Sequence, residues 1–187
     1  MSRRALLPLT ALLLALPVFL LAACAPGGGT GKVIGGPARA EEPSRVSIPS
    51  IGVTSPLIRL GRNGDDTVQV PPPEKGTIAG WYTGSAKPGT PGAAVIIGHD
   101  GPRGGKAVFR DLHKVGKGTV INVERGDGKV LRFSVTDTET VDRSAFPTRK
   151  VYGHTEEKAL RLVTCADEAA PQGRPVENLI VYAELVA

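Results

Sequence analysis

At 187 residues the chain has room for one domain with appendages; its 41% apolar content suits a folded body, and 24 Gly, 16 Pro and only 4% aromatics point to a turn-rich β architecture. The formal charge is +5, but four of the 23 basic and two of the 18 acidic residues lie in 1–44, which leaves residues 45–187 at +3. With its signs interspersed and no basic stripe, that segment excludes a nucleic-acid partner.

The chain begins with the positive stretch MSRR and an apolar run, Ala5–Ala23, that ends at Cys24. That is the architecture of an export signal, and nineteen such residues also suffice to span a bilayer as an uncleaved anchor. Leu21-Ala22-Ala23-Cys24 resembles a bacterial lipobox, in which the cysteine thiol receives a lipid and becomes the new N-terminus. Either outcome puts the rest of the chain at the extracytoplasmic face of the bacterial cell membrane. Residues 1–23 are therefore expected to be a signal peptide or membrane anchor. Residues 24–44, rich in Gly, Pro and Ala without hydrophobic period, are expected to be a flexible linker. Residues 45–187 form the folded domain.

From Arg45 the pattern is of short strands and turns. RVSIPSIGV alternates apolar and polar residues with a break at Pro49, and SPLIRLG and TVQVPPP read as the next two strands. AGWYTGSAKPGTPG reads as a Gly/Pro-rich loop, AAVIIGHD as a compact apolar strand ending at His99, and KAVFRDLHKV as a helix of one or two turns. GTVINVERGDGKVLRFSVTDTETV is a hairpin turned by Asp127-Gly128. ALRLVTC and NLIVYAELV are the last two strands. About eight strands with little helix predict an all-β, closed or partly closed barrel.

Two cysteines are present, Cys24 and Cys165. An acylated or membrane-embedded Cys24 cannot bridge to Cys165, which leaves Cys165 as either a small buried hydrophobe or a reactive thiol, and context alone does not separate the two. A nucleophilic cysteine needs an acid/base partner and a donor for the oxyanion. Of the three histidines, His99 has the best placement, at a strand end; His113 reads as a solvated helix position and His154 as part of a polar turn. Arg174, the single arginine after Cys165, lies in the loop between the last two strands; paired antiparallel, they would return that loop close to Cys165. Three scattered histidines show no metal-ligand spacing, and no cofactor is expected.

Arg161-Leu162-Val163-Thr164-Cys165, followed by a loop, an arginine and a terminal strand, resembles the T-L-x-T-C signature of sortases. IPSIGV, GWYTGSAKPGTPGAAVIIGH and VFRDLHKVGKGTVINV fit the same family in the same order, so the resemblance covers almost all of residues 45–187. It is to the class F or class E sortases of actinobacteria, class F slightly preferred. It implies an eight-stranded sortase-type β-barrel with one or two short helices, and a cysteine transpeptidase. Such an enzyme cleaves an LPXTG-like sorting signal of a surface protein between Thr and Gly, forms a thioacyl intermediate, and passes it to an amine of a peptidoglycan precursor or pilin subunit. By position Cys165 matches the nucleophile, His99 the catalytic histidine and Arg174 the catalytic arginine, while Thr164 is expected to support substrate contacts. The family arginine usually sits on the last strand or at its start, where this chain has Glu177 and Asn178, so Arg174 has to reach from the loop. Sortases also usually keep a transmembrane anchor, whereas Cys24 suggests a lipid tether. The rival reading is a catalytically degenerate barrel serving as a surface binding or structural module. An L,D-transpeptidase would need an S-H-G-C-type run, which the chain lacks.

Overall fold

Alternation of apolar and polar side chains lets a strand bury one face, and here it is repeated until the sheet closes on itself. The computed structural model describes residues 38–101, 106–165 and 177–186. Its strands are β1 (Pro43–Ile48), β2 (Val53–Leu60), β3 (Ala79–Tyr82), β4 (Gly92–His99), β5 (Val120–Arg125), β6 (Val130–Asp142), β7 (Lys158–Cys165) and β8 (Glu177–Leu185). They form a closed barrel in the order β1-β2-β3-β4-β7-β8-β6-β5, sealed by the antiparallel β1/β5 pair. The expected eight-stranded barrel with few short helices is what the chain forms. Two neighbouring pairs are parallel, β2/β3 and β4/β7, and each therefore needs a long crossover.

Every strand contributes to the barrel interior: Val46, Val53, Trp81, Ile96, Ile121, Phe133, Leu162 and Val181 all belong to one buried cluster. A second cluster lies on the outer face of the sheet, where Leu60, Tyr82, Val95, Ile97, Val163, Ile180 and Tyr182 pack with Val151 of α1 (Thr148–Tyr152). Near the start of β1, Glu42 is buried and accepts from the Arg39 amide at 3.3 Å, while Arg59 of β2 lies 3.4 Å from the same carboxylate oxygen.

Three local expectations are corrected. TVQVPPP makes no strand; it contributes one isolated bridge, Arg62↔Val68, because the Pro71–Pro73 run removes the amide donors a ladder requires. The third strand is instead AGWY, read as loop from its glycine, yet buried at all four positions. Its Gly80 is needed where Leu60 crosses, since a Cβ there would sit 2.5 Å from the Leu60 side chain. KAVFRDLHKV holds only a 3₁₀ turn, Leu112–Lys114; its Val108, Phe109, Leu112 and Val115 join the inner cluster, so their spacing marks a barrel plug rather than a helix face. The α-helix occurs instead at Thr148–Tyr152, five residues without an apolar period of their own.

Candidate active site

The parallel pairing of β4 and β7 runs in register from Gly92↔Lys158 to His99↔Cys165, so the two strands end side by side with the histidine beside the cysteine. With a side-chain period of two, Val95, Ile97 and His99 share the outer face of β4, and Val163 and Cys165 that of β7. Gly98, between them, faces the plug: a Cβ there would lie 2.6 Å from both Phe109 Cδ2 and Val108 Cγ1. The Phe109 amide donates to the His99 carbonyl at 2.8 Å, which clamps the end of β4.

His99 is 6% exposed, and its Nε2 lies 2.7 Å from the Pro71 carbonyl oxygen. A carbonyl can only accept, so this contact assigns the ring proton to Nε2. Cys165 is half-buried and packs against the outer cluster. One residue earlier, Thr164 is 1% exposed and its hydroxyl accepts from the Leu179 amide at 2.8 Å. The β7/β8 ladder has its last pair at Val163↔Ile180, so this side chain takes over where main-chain pairing stops and holds the fork at whose tip Cys165 sits.

Cys165 opens into a cleft of about 610 Å³, walled by Val68, Val70, Tyr82, Ile97, Phe146 and Tyr152, with Arg62, Arg143 and Asn178 also lining it. Tyr82 and Tyr152 meet edge to face, centroids 5.8 Å apart at 86°. The Tyr152 phenol is pushed up to about 12, first by burial and then by the neighbouring Tyr82 and Cys165, so it stays a neutral O–H donor beside the thiol. His99 does not line this cleft. A smaller cavity of about 290 Å³, bordered by Thr54, Thr77, Lys106 and Asp111, touches neither His99 nor Cys165.

Of the other residues singled out from the sequence, Arg174 and Cys24 lie outside the described residues. His113 is exposed, its Nδ1 3.1 Å from the Arg110 carbonyl, and His154 is exposed with Nε2 2.5 Å from Glu156; neither lines the cleft. Among the described residues no group of His, Cys, Asp and Glu is placed to hold a metal ion. The sequence reading missed the aromatic wall and both cleft arginines. Tyr82 was hidden in a glycine-rich stretch, while Arg62, Arg143 and Phe146 lie outside the strands and carry no period.

The family model of the sortase domain matches residues 46–186. The chain belongs to the sortase family. Solved structures with a similar fold include sortase A from Corynebacterium diphtheriae (24% identity, TM-score 0.58, covering 80% of this chain and 62% of that one). Sortase C-1 from Actinomyces oris is 26% identical, with TM-score 0.58, covering 76% of this chain and 73% of that one. The Pilus Island 1 sortase C2 of Group B Streptococcus is 25% identical, with TM-score 0.59, covering 81% and 77%. The chain thus spans less than two thirds of the length of the Corynebacterium protein. No curated protein sequence matches it.

Proposed function

We propose that the chain is a cysteine transpeptidase of class F or E type, acting on LPXTG-like sorting signals of surface proteins. The observation that carries this reading is the His99↔Cys165 register at the mouth of a peptide-sized cleft in a sortase-family barrel. Cys165, as thiolate, attacks the Thr carbonyl of the bound signal. The resulting oxyanion is held by Arg174 from the β7–β8 loop; the Thr–Gly bond then breaks, and His99 delivers a proton to the departing glycine amine. An amine of a peptidoglycan precursor or pilin subunit attacks the thioester, His99 accepts its proton, and the thiolate returns. Thr164, which lines the cleft, supports substrate contacts and ties β7 to β8 next to Cys165. Residues 1–23 and Cys24 tether the domain, residues 45–187, to the outer face of the membrane through a lipid or an uncleaved anchor, with 24–44 as spacer.

The test is incubation of the full-length chain in detergent with LPXTG and LAXTG peptides, followed by intact-mass spectrometry. A mass gain equal to the peptide truncated after Thr less one water, absent in Cys165→Ala, supports the proposal; turnover undiminished in Cys165→Ala refutes it. One observation favours the second reading, a barrel that binds without catalysis: His99 is buried against Pro71 and away from the cleft lining. Peptide binding by the wild-type chain with no adduct at any peptide concentration would select it.

A further inference from the structure

The ring of His99 is held by a segment that also contributes to the cleft wall. In Val70-Pro71-Pro72, Val70 is 43% exposed and lines the cleft, whereas Pro71 is buried, with its carbonyl oxygen 2.7 Å from His99 Nε2. A proline run suits this task. Pro72 lies at φ −57° and ψ 141°, in the polyproline II region, and a residue before a proline is itself kept extended. The direction of the Pro71 carbonyl is therefore set locally, and such a run makes no internal hydrogen bonds that would consume it. Both flanks are anchored. Upstream, the Gln69 amide donates to the Gly61 carbonyl at 3.0 Å and the Gly61 amide to Gln69 Oε1 at 2.8 Å. Downstream, the Lys75 amide donates to the Pro72 carbonyl at 2.8 Å and opens the turn Pro73–Lys75. Two consecutive amides of the plug close the circuit: Val108 donates to the Gly76 carbonyl and Phe109 to the His99 carbonyl, each at 2.8 Å.

We infer that Pro71 is a positioning residue for the reaction: its carbonyl retains the Nε2 proton of His99, so the histidine exchanges protons with substrate through Nδ1 alone. The burial of His99 against Pro71 then orients the ring rather than withdrawing it from the chemistry. The proton-transfer part rests on the transpeptidase reading; the hold on the ring does not. As the C–N bond to the glycine breaks, the Nδ1 proton of the imidazolium passes to the glycine nitrogen, and Nδ1 later takes one proton from the attacking amine. The Nε2 proton stays on its nitrogen throughout. A neutral carbonyl accepts that proton from the neutral and the cationic ring alike, so the imidazole need not turn between the two half-reactions.

The test has two arms, both on the full-length chain in detergent. The first is NMR of the chain labelled with nitrogen-15 histidine, at a pH high enough to hold the ring neutral. His99 is assigned as the signal left in a chain carrying His113→Gln and His154→Gln. The expected result is the Nε2–H tautomer with its proton protected from exchange with water, and loss of that protection in Pro72→Gly. An Nδ1–H tautomer, or an unprotected Nε2 proton in the wild-type chain, overturns the inference. The second arm is thioacylation by an LPXTG peptide, measured per folded molecule. Pro72→Gly loosens the proline run and should lower the rate at saturating peptide about tenfold or more, with the half-saturating concentration changed less than about threefold. Gly64→Ala, in the same loop but with nothing within 4 Å of the added Cβ, should leave both unchanged. Pro72→lactate, compared with Pro72→Ala, turns the Pro71 carbonyl into that of an ester, a weaker acceptor, and should slow the saturating rate about threefold further. An undiminished saturating rate in Pro72→Gly, or equal rates for the ester and Pro72→Ala, overturns the inference. The two ideas fail separately. Adducts formed by a chain whose Nε2 proton is unprotected sink the role of Pro71 and spare transpeptidation. A protected Nε2 proton that Pro72→Gly releases, without any adduct from the wild-type chain, keeps Pro71 as the hold on His99 and removes transpeptidation.

Discussion

Strands β4 and β7 each feed two apolar clusters, and the clusters differ in how they are closed. Ala94, Ile96, Leu160 and Leu162 point into a barrel that eight strands seal and the Val108–Val115 segment plugs. Val95, Ile97 and Val163 point outward, where the sheet needs a separate cover, and that cover is uneven. Toward the start of β7, the Tyr182 ring lies under Lys150 at 4.3 Å and beside Arg161 at 4.8 Å, and its hydroxyl donates to Glu139. Toward the end of β7, α1 supplies Tyr152 to a wall that, among the described residues, leaves open the cleft at Cys165. The inner side gives the fold its free energy; the outer side, less fully covered among the described residues, holds the cleft in which we propose that a substrate meets the strand ends.

This contrast can be broken most forcefully from inside. Phe133, fully buried in the inner cluster, should cost about 3–5 kcal/mol when changed to Ala, because the closed barrel cannot collapse around the void. Urea unfolding of the full-length chain should show the loss, while peptide binding per folded molecule stays unchanged. Gly98 tests the boundary between the sides. A Cβ at Gly98 enters the plug at 2.6 Å from Val108 and Phe109, so Gly98→Ala should destabilise by roughly 1–3 kcal/mol. It should also lower thioacylation about tenfold or more in the folded fraction, since the same plug residue, Phe109, holds the His99 carbonyl. Activity falling only in proportion to folded protein would show that His99 is insensitive to its clamp.

How much of this was legible in the sequence follows the same division. The short apolar runs AAVIIGH and ALRLVTC mark two strands ending in His99 and Cys165, and the last two strands do pair antiparallel, the condition on which the loop after Cys165 is read as returning toward it. That the two ends coincide is not a local property. It depends on a parallel register between segments separated by the whole β5/β6 hairpin, and neither strand's own pattern encodes it. β3 escaped because Gly80 weakens a strand pattern locally yet is required by Leu60 across the pair. TVQV misled because its alternation is real while the following prolines deny it a ladder. The cleft wall had no signal at all, since it assembles Arg62, Tyr82, Phe146 and Tyr152 from four separate segments.

Thr164 probes the fork between β7 and β8, with a smaller expected effect. Thr164→Val keeps the shape and removes the acceptor of the Leu179 amide, which should cost about 1–2 kcal/mol. Hydrogen exchange at Leu179 should accelerate by more than that at Val181, which lies within the β7/β8 ladder. Equal acceleration at both amides would mean that the hydroxyl does not hold the fork.

The smallest effect is expected where the cover is complete. Lys150 donates to Glu139 Oε2 at 2.5 Å and the Tyr182 hydroxyl to the same oxygen at 2.9 Å, and these contacts, Lys150 foremost, hold the Glu139 carboxyl below its ordinary value. A carboxylate whose folded value is depressed stabilises the fold at pH above its ordinary value of 4.5, and the contribution is lost as the pH falls through the lowered one. Glu139→Gln should therefore cost roughly 0.5 kcal/mol at pH 7, as partly exposed ion pairs do, and the gap to the unaltered chain should close on acidification below about pH 4.5. Because Lys150 and Tyr152 share α1, loosening one end of the helix should reach the other. Per folded molecule, the same variant should bind sorting-signal peptides more weakly at pH 7, by a factor of about two. Such weakening would tie the open end of the outer cluster to its closed end through α1; unchanged binding per folded molecule would leave the two ends independent.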